Sequence, residues 1–221
     1  MNKSAIIIPS HLGAKRLPNK PLLEILGKPM IVHVWERAIK SDVKDVFVAT
    51  ANKEIVDVIK SCGGNAVLTG TEHTTGSDRI HEAIKNLDLN CDFIINVQGD
   101  MPNINPDTIN MLNQFMITNS NAEVATVASD ISSEETLDQN VVKAITSSNL
   151  KENGFQIAND FVRKIDKQKH FYHHIGLYSY KLKTLESFVN LSKTKNEIER
   201  SLEQMRFLDH DIDIFVGYTK D

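Results

Sequence analysis

Cysteine and long apolar runs are scarce in this chain of 221 residues, and it has no excess of basic residues. Its two cysteines, Cys62 and Cys91, have no spacing typical of a metal or redox site, so we expect reduced thiols. The formal net charge of −4 argues against nucleic-acid binding, which needs a basic face. No apolar run approaches the roughly 20 residues of a membrane span, and no signal-peptide core precedes the first strand. We therefore expect no membrane insertion and a cytoplasmic location.

Strand-like and helix-like segments alternate through the first half of the chain. Short apolar runs such as Ala5–Ile8 and Phe93–Val97 are typical of strands buried on both faces. Between them we predict helices, one that begins at Pro29 and one that Asn52 caps and Gly63-Gly64 stops. This order predicts an α/β fold with a mostly parallel, Rossmann-like sheet and helices on both faces.

The second half is less regular and predicts a small inserted lobe on the same domain. We expect a core of residues 1–130 and a lobe of about 131–210. Strands are predicted at Val141–Thr146 and Ile175–Tyr180, and a helix at Glu197–Leu208. The segment 147–169 is polar and has no clear period.

A basic loop follows the first strand, between Pro9 and Pro21. Ligands of such sheets bind at the carboxyl ends of strands, which is where this loop stands. Gly13 lets backbone N–H groups approach phosphate oxygens, and the loop's cations supply charge. The spacing fits neither a Walker A loop nor a dinucleotide fingerprint. The loop is therefore either a triphosphate site or a solvated basic loop.

Asp100 follows the apolar run Phe93–Val97 at the same predicted edge of the sheet. A carboxylate there suits Mg²⁺ held against a triphosphate, and Gly99 lets the backbone pass close to a ligand. The same Gly-Asp pair is also common in a plain turn. In the second half, alternation places His174, Gly176, Tyr178 and Tyr180 on one strand face, a hydrogen-bonding wall suited to a polyhydroxy acid.

Five short motifs together resemble CMP-Kdo synthetases, which are cytidylyltransferases for the acidic sugar 3-deoxy-manno-octulosonate (Kdo). They cover most of residues 5–110 in the family's order. The motifs are Arg16-Leu17-Pro18-x-Lys20-Pro21-Leu22, Gly27-Lys28-Pro29-Met30, Val48-Ala49-Thr50, His73-x-x-Gly76-Ser77-Asp78-Arg79 and Asn96-Val97-Gln98-Gly99-Asp100-x-Pro102.

The resemblance implies a nucleotidyltransferase fold and transfer of CMP from CTP to Kdo, with release of pyrophosphate, for lipopolysaccharide precursor synthesis. It implies a magnesium-dependent homodimer whose core binds the nucleotide and whose lobe binds the sugar. Lys20, Arg16 and Asp100 would be catalytic, with Asp100 on the metal. Nucleotide contacts would come from Pro9, His11, Gly13, Lys15, Arg16, Lys20, Thr75, Gly76 and Arg79, and sugar contacts from Gln98, His174, Tyr178, Glu203 and Gln204.

The chain also departs from the family's pattern. His11 stands where the family has Arg, and no Phe-Ser-Arg motif occurs near Phe155. Arg163 is a candidate for the sugar carboxylate, but no motif spacing supports it. The second metal-binding carboxylate of the family is assigned to neither Asp213 nor Asp221. Two alternatives stay open: a cytidylyltransferase for amino-Kdo or a nonulosonic acid, and a degenerate paralogue that binds nucleotide without turnover.

Overall fold

The computed structural model describes residues 3–13 and 17–220. The chain divides into two units, Met1–Gln114 and Phe115–Asp221, each with its own dense set of internal contacts. Within the described residues, no helix has the length and apolar character needed to cross a membrane.

The first unit is built on alternating strands and helices, as the sequence predicts. A short 3₁₀ helix, Lys20–Leu22, follows the first strand. The strands are β1 (Ser4–Ser10), β2 (Glu24–Ile25), β3 (Lys28–Pro29), β4 (Asp45–Thr50), β5 (Asn65–Leu68) and β6 (Phe93–Asn96). The helices are α1 (Met30–Ala38), α2 (Lys53–Ser61), α3 (Gly76–Asn86) and α4 (Pro106–Thr118), of which α4 begins in this unit and ends beyond Gln114.

The main sheet of this unit has the order β5-β4-β1-β6, and all of its pairings are parallel. Ile6 of β1 pairs with Val46 on one side and Ile95 on the other, and it is fully buried. The order of the strands reverses at β1, because β4 and β5 lie on one side of it and β6 on the other. A ligand crevice is expected beside the carboxyl ends of β1 and β6.

The second unit is dominated by antiparallel pairings. Its strands are β7 (Val124–Ser129), β8 (Lys143–Thr146), β9 (Gln156–Val162), β10 (Phe171–Lys181) and β11 (Ile214–Tyr218). Its short helices are α5 (Ser133–Leu137), α6 (Leu150–Asn153), α7 (Leu182–Phe188), α8 (Lys195–Arg200) and α9 (Met205–Leu208). The strand order β10-β7-β11-β9-β8 closes on itself, since β8 also pairs with β10. Among the pairings of these strands in the described part of the unit, only that of β7 with β11 is parallel.

Two predictions for the second half need correction. The single helix expected at Glu197–Leu208 is wrong, because Ser201 takes a left-handed conformation (φ 52°) that ends α8 before α9 begins. The unpatterned segment 147–169 contains β9, a strand whose residues alternate weakly between buried and exposed. A polar strand of this kind gives little periodic signal.

Arg206 shows how α8 and α9 are held together. Its guanidinium donates to both carboxylate oxygens of Glu197, at 2.7 and 2.5 Å, and both side chains are buried. The cation also lies 4.4 Å from the centre of the Phe188 ring. A plain amphipathic helix would turn this arginine to water, whereas the break at Ser201 turns it inward.

Candidate active site

Two neighbouring pockets of the first unit, of about 140 and 120 Å³, open at the carboxyl ends of β1 and β6. They share four lining residues, Pro9, Ser10, His11 and Gln98. The first pocket adds Lys20, Pro21, Met30, Gly99 and Asp100, and the second adds His73, Thr74, Thr75, Gly76 and Arg79. The structure therefore brings most of the predicted nucleotide-binding residues to one edge of one sheet.

The basic loop is tied at its base to the neighbouring helix. The Asn19 N–H donates to the Leu12 carbonyl at 3.2 Å, which joins the two ends of the loop. Asn52 makes no side-chain cap to α2; its Oδ1 instead accepts from the Leu12 N–H at 3.0 Å. Asn52 is thus the N-cap of α2, as predicted, but its side chain makes no capping hydrogen bond, because Oδ1 accepts from the loop instead. Lys15 and Arg16, two predicted phosphate ligands, lie outside the described residues.

His11 folds back on its own loop. The Gly13 N–H donates to His11 Nδ1 at 3.1 Å. The sequence predicts that backbone N–H groups near Gly13 face a phosphate, whereas this N–H is bonded to the histidine ring. A nitrogen that accepts a hydrogen bond carries no proton, and the neutral ring then presents Nε2–H. His11 therefore offers one neutral donor where an arginine fork would offer several charged ones.

Lys20 and Asp100 form the charged centre of the first pocket. Lys20 Nζ lies 2.9 Å from Asp100 Oδ2, and both side chains are substantially exposed, at 36% and 55%. The two residues are eighty positions apart, and they meet because β1 and β6 are neighbours in the sheet. A Cβ on Gly99 would lie 2.6 Å from the Pro9 carbonyl oxygen, so only glycine allows the two strand ends to approach this closely.

Thr75 and Arg79 build the second pocket from the start of α3. Thr75 is the N-cap, and its hydroxyl accepts from the Asp78 N–H at 3.2 Å. The Arg79 guanidinium donates to the Thr69 hydroxyl at 2.6 Å and to the Gly70 carbonyl at 3.1 Å. Burial lowers the pKa of Arg79, while the carboxylates of Glu82 and Glu72 oppose that effect.

Glu82 anchors the loop that carries these groups. Its carboxylate accepts from the Gly70 N–H at 2.9 Å, from the Asn86 amide at 3.2 Å and from His73 Nε2. Burial raises the pKa of Glu82, but the hydrogen bonds from His73, Gly70 and Asn86 outweigh it and leave that pKa low. Glu72, His73 and Glu82 also bring three possible metal ligands within 4.8 Å. Because the Glu82 carboxylate already has three donors, we interpret this cluster as a loop anchor.

Gln98 stands between the two pockets, and its Nε2 donates to Asn96 Oδ1 at 2.9 Å. This bond points the amide along the end of β6 and fixes its rotamer. Ser10 and Glu82 are the residues of this region that sequence reasoning missed. Neither belongs to a recognisable motif, and only the strand register and the loop contacts reveal them.

The sugar-binding residues predicted for the second half lie in the second unit. The rings of His174, Tyr178 and Tyr180 contact one another in series, at centroid distances of 5.5 and 5.7 Å, so the predicted shared face is confirmed for these three residues, whereas Gly176 falls in an irregular part of the strand. Between His174 and Tyr178 the ladder with β7 has a bulge that inserts two residues. Burial raises the pKa of Tyr178 well above its usual range, followed by the effects of Tyr180 and Glu203, so this phenol stays protonated.

Thr126 of β7 fixes the protonation of His174. The Thr126 hydroxyl lies 2.7 Å from the Leu177 carbonyl and 3.2 Å from the Ile175 carbonyl, to which it can only donate. It therefore accepts from His174 Nε2–H at 3.1 Å. Burial first, and His173 second, lower the pKa of His174 to about 3. The ring is thus neutral near pH 7, with Nδ1 as its acceptor.

Glu203 and Gln204 lie in the turn between α8 and α9, with Gln204 buried and Glu203 partly buried. Arg163, the alternative partner for a sugar carboxylate, donates to the backbone carbonyls of Arg200, Ser201, Gln139 and Asn140. It ties two loops together, which is a structural task.

Comparisons with known proteins show the family of the chain. A family model described as cytidylyltransferase matches residues 5–214. The 3-deoxy-manno-octulosonate cytidylyltransferase of Brucella ovis is 41% identical over 99% of this chain and 88% of its own length. The enzyme of that name from Rhodopseudomonas palustris is 40% identical over 96% of this chain and 87% of its own.

A solved structure gives the same result in three dimensions. It is CMP:2-keto-3-deoxy-manno-octonic acid synthetase complexed with CTP, which superposes with a TM-score of 0.91 at 33% identity. The match covers 100% of this chain and 91% of that one. The predicted mixed α/β nucleotidyltransferase fold is confirmed by this match.

Proposed function

The chain belongs to the cytidylyltransferase family, and we propose that it transfers CMP from CTP to the anomeric hydroxyl of 3-deoxy-manno-octulosonate, releasing pyrophosphate. One observation carries the proposal from the residues: the Lys20–Asp100 pair and the Thr75–Arg79 pocket adjoin each other at the ends of β1 and β6. A site for a nucleoside triphosphate needs charged groups for the phosphates and a polar pocket for the nucleoside.

We assign the triphosphate to the first pocket because it holds an exposed ammonium beside an exposed carboxylate. Lys20 alone would attract phosphate, and Asp100 alone would repel it. A divalent cation bound to the carboxylate would remove this repulsion and explain why a carboxylate lies in a phosphate site. Mg²⁺ is commonly bound by one or two carboxylates plus substrate phosphates, which this donor set fits.

Asp100 would hold that magnesium ion, and Lys20 would then exchange its carboxylate partner for a phosphate oxygen. The cation supplies charge neutralisation at the transferring phosphate. Lys20, together with Arg16, stabilises the charge that develops on the departing pyrophosphate, and Gly99 admits the nucleotide close to the backbone. The reaction needs no protein nucleophile, so the contribution of these residues is position and charge.

The second unit supplies hydrogen-bonding groups for the sugar. With Nε2–H held by Thr126, His174 presents Nδ1, which accepts from a sugar hydroxyl and repels a carboxylate. Tyr178 keeps its proton and remains a donor. We therefore propose that this face reads hydroxyl groups, with Glu203 and Gln204 as further polar contacts from the turn before α9. Gln98 of the first unit stays a predicted sugar contact.

Asp100→Ala tests the assignment in a pyrophosphate-release assay with CTP, Mg²⁺ and Kdo. We expect turnover to fall roughly 100-fold or more, since a metal contact at the reacting phosphate is worth several kcal/mol. Asp92→Ala is the matched control: Asp92 stands just before the other end of β6, where its Oδ2 accepts from the Lys3 N–H at 2.8 Å. Near-normal turnover of Asp100→Ala would refute the metal assignment.

The same assay separates the alternatives. Release of pyrophosphate by the wild-type protein excludes a non-catalytic paralogue. A panel of Kdo, amino-Kdo and nonulosonic acids identifies the acceptor, for which the relatives support Kdo. A homodimer, a cytoplasmic location and a role in lipopolysaccharide precursor synthesis remain predictions; the first is tested by light scattering of the purified protein.

A further inference from the structure

Ser10, the last residue of β1, carries a buried polar group without a partner. The residue is 5% exposed, and its hydroxyl has no hydrogen-bond partner among residues 3–13 and 17–220. A buried hydroxyl that is left unpaired destabilises a protein, because its water contacts are lost without replacement. A bound ligand could supply the partner that the described residues do not provide.

The position of Ser10 points to the identity of that partner. It lines both pockets, so it stands between the Lys20–Asp100 pair and the Thr75–Arg79 region. The hydroxyl lies 3.3 Å from where a Cβ on Gly99 would be, so it faces the end of β6. A nucleotide with its triphosphate at Lys20 and its nucleoside near Arg79 passes Ser10 where the two parts join.

We propose that the Ser10 hydroxyl is a binding group for the nucleoside monophosphate part of CTP, hydrogen-bonded where the transferred α-phosphate joins the ribose. This inference rests on the proposed function and extends it by one residue. Ser10 supports the half of the nucleotide that is transferred, while Lys20 serves the half that leaves as pyrophosphate. Without nucleotide, the same hydroxyl weakens the fold.

Ser10→Ala therefore has two effects of opposite sign. The variant removes an unpaired buried hydroxyl, so the thermal midpoint of the ligand-free protein rises by about 2–4 °C. It also removes a hydrogen bond to the ligand, so CMP binds about 5–10-fold more weakly as a competitor of CTP. The affinity for pyrophosphate, which lacks the transferred part, stays unchanged.

Ser4→Ala is the matched control, because Ser4 begins the same strand and its hydroxyl donates to Asn113 Oδ1 at 2.6 Å. Removing that paired hydroxyl lowers the thermal midpoint and leaves CMP affinity unchanged. Ser10→Cys keeps the shape of the side chain with a larger and weaker donor, so its CMP affinity falls between those of the wild type and Ser10→Ala.

Three results would overturn the inference: unchanged CMP affinity in Ser10→Ala, an equal loss for CMP and pyrophosphate, or a lower thermal midpoint without ligand. Each is distinct from failure of the proposed function. If the wild-type protein did not bind CTP at all, the function would fail. If it did and Ser10→Ala behaved like it, only the role of Ser10 would fail.

Discussion

His174 makes the stability of this protein depend on pH in a direction that the structure fixes. The ring lies between Phe161 and Tyr178, at centroid distances of 4.9 and 5.5 Å, and its Nε2–H is bonded to Thr126. The pKa is lowered from 6.5 to about 3, chiefly by burial. Between these values the unfolded chain binds a proton that the folded protein does not.

The sign follows from proton counting. Because the unfolded state holds more protons, the free energy of unfolding falls as pH drops below 6.5, and the loss continues down to about pH 3. The limiting slope is about 1.4 kcal/mol per pH unit, so the contribution of His174 at pH 5 is a loss of about 2 kcal/mol. For a protein of ordinary stability, this loss is a large part of the total free energy of unfolding.

Urea denaturation of the wild type and His174→Phe, compared at about pH 8 and pH 5, measures this contribution. Phenylalanine keeps an aromatic ring between the same neighbours and cannot be protonated. The wild type should lose about 2 kcal/mol more than the variant over that interval, whatever their difference at pH 8. The titration of acidic groups elsewhere changes the free energy of unfolding equally in both proteins, so it cancels in the difference between them. Equal losses would show that His174 is protonated as readily in the folded protein as in the unfolded chain.

Two further predictions concern stability. Glu197→Ala leaves the buried guanidinium of Arg206 without its carboxylate, so it should lower the free energy of unfolding in urea by about 3–5 kcal/mol. Lys195→Ala removes an exposed ion pair and should change that free energy by less than about 0.5 kcal/mol. Similar values for the two variants would contradict the role of burial. Leu26 has a φ of 51°, is 97% exposed and stands in the turn between β2 and β3, so Leu26→Asn should raise the free energy of unfolding by about 1 kcal/mol, and an unchanged value would show that the turn is unstrained.

Sequence reasoning succeeded where the physics is local or periodic. Apolar runs predicted the strands of the first unit, because a strand buried on both faces must be apolar throughout. Pro29 immediately precedes α1, and Gly63 lies just beyond the end of α2 with a φ of 81°, as their backbone preferences require. The meeting of Lys20 and Asp100 also followed, since parallel neighbours end at one edge.

Sequence reasoning did not predict side-chain contacts where more than one hydrogen-bond partner was available. Asn52 is the N-cap of α2, as predicted, yet its side-chain Oδ1 accepts from the Leu12 N–H and makes no capping bond to the helix. Arg206 looks like a solvated helix residue until Ser201 breaks the helix and turns it towards Glu197. Ser10 gives no signal in the sequence at all, because an unpaired hydroxyl is a property of its surroundings.

The bulge in β10 adds two residues that the pairing with β7 does not need but that contribute a hydrogen bond to Thr126. A chain two residues shorter there would keep every pairing with β7, and His174 and Tyr178 would still share a face, two positions apart. What it would lose is the Leu177 carbonyl that orients the Thr126 hydroxyl. The two additional residues thus bring a second carbonyl, besides that of Ile175, to the Thr126 hydroxyl, and they reinforce the orientation in which this hydroxyl accepts from His174 Nε2–H.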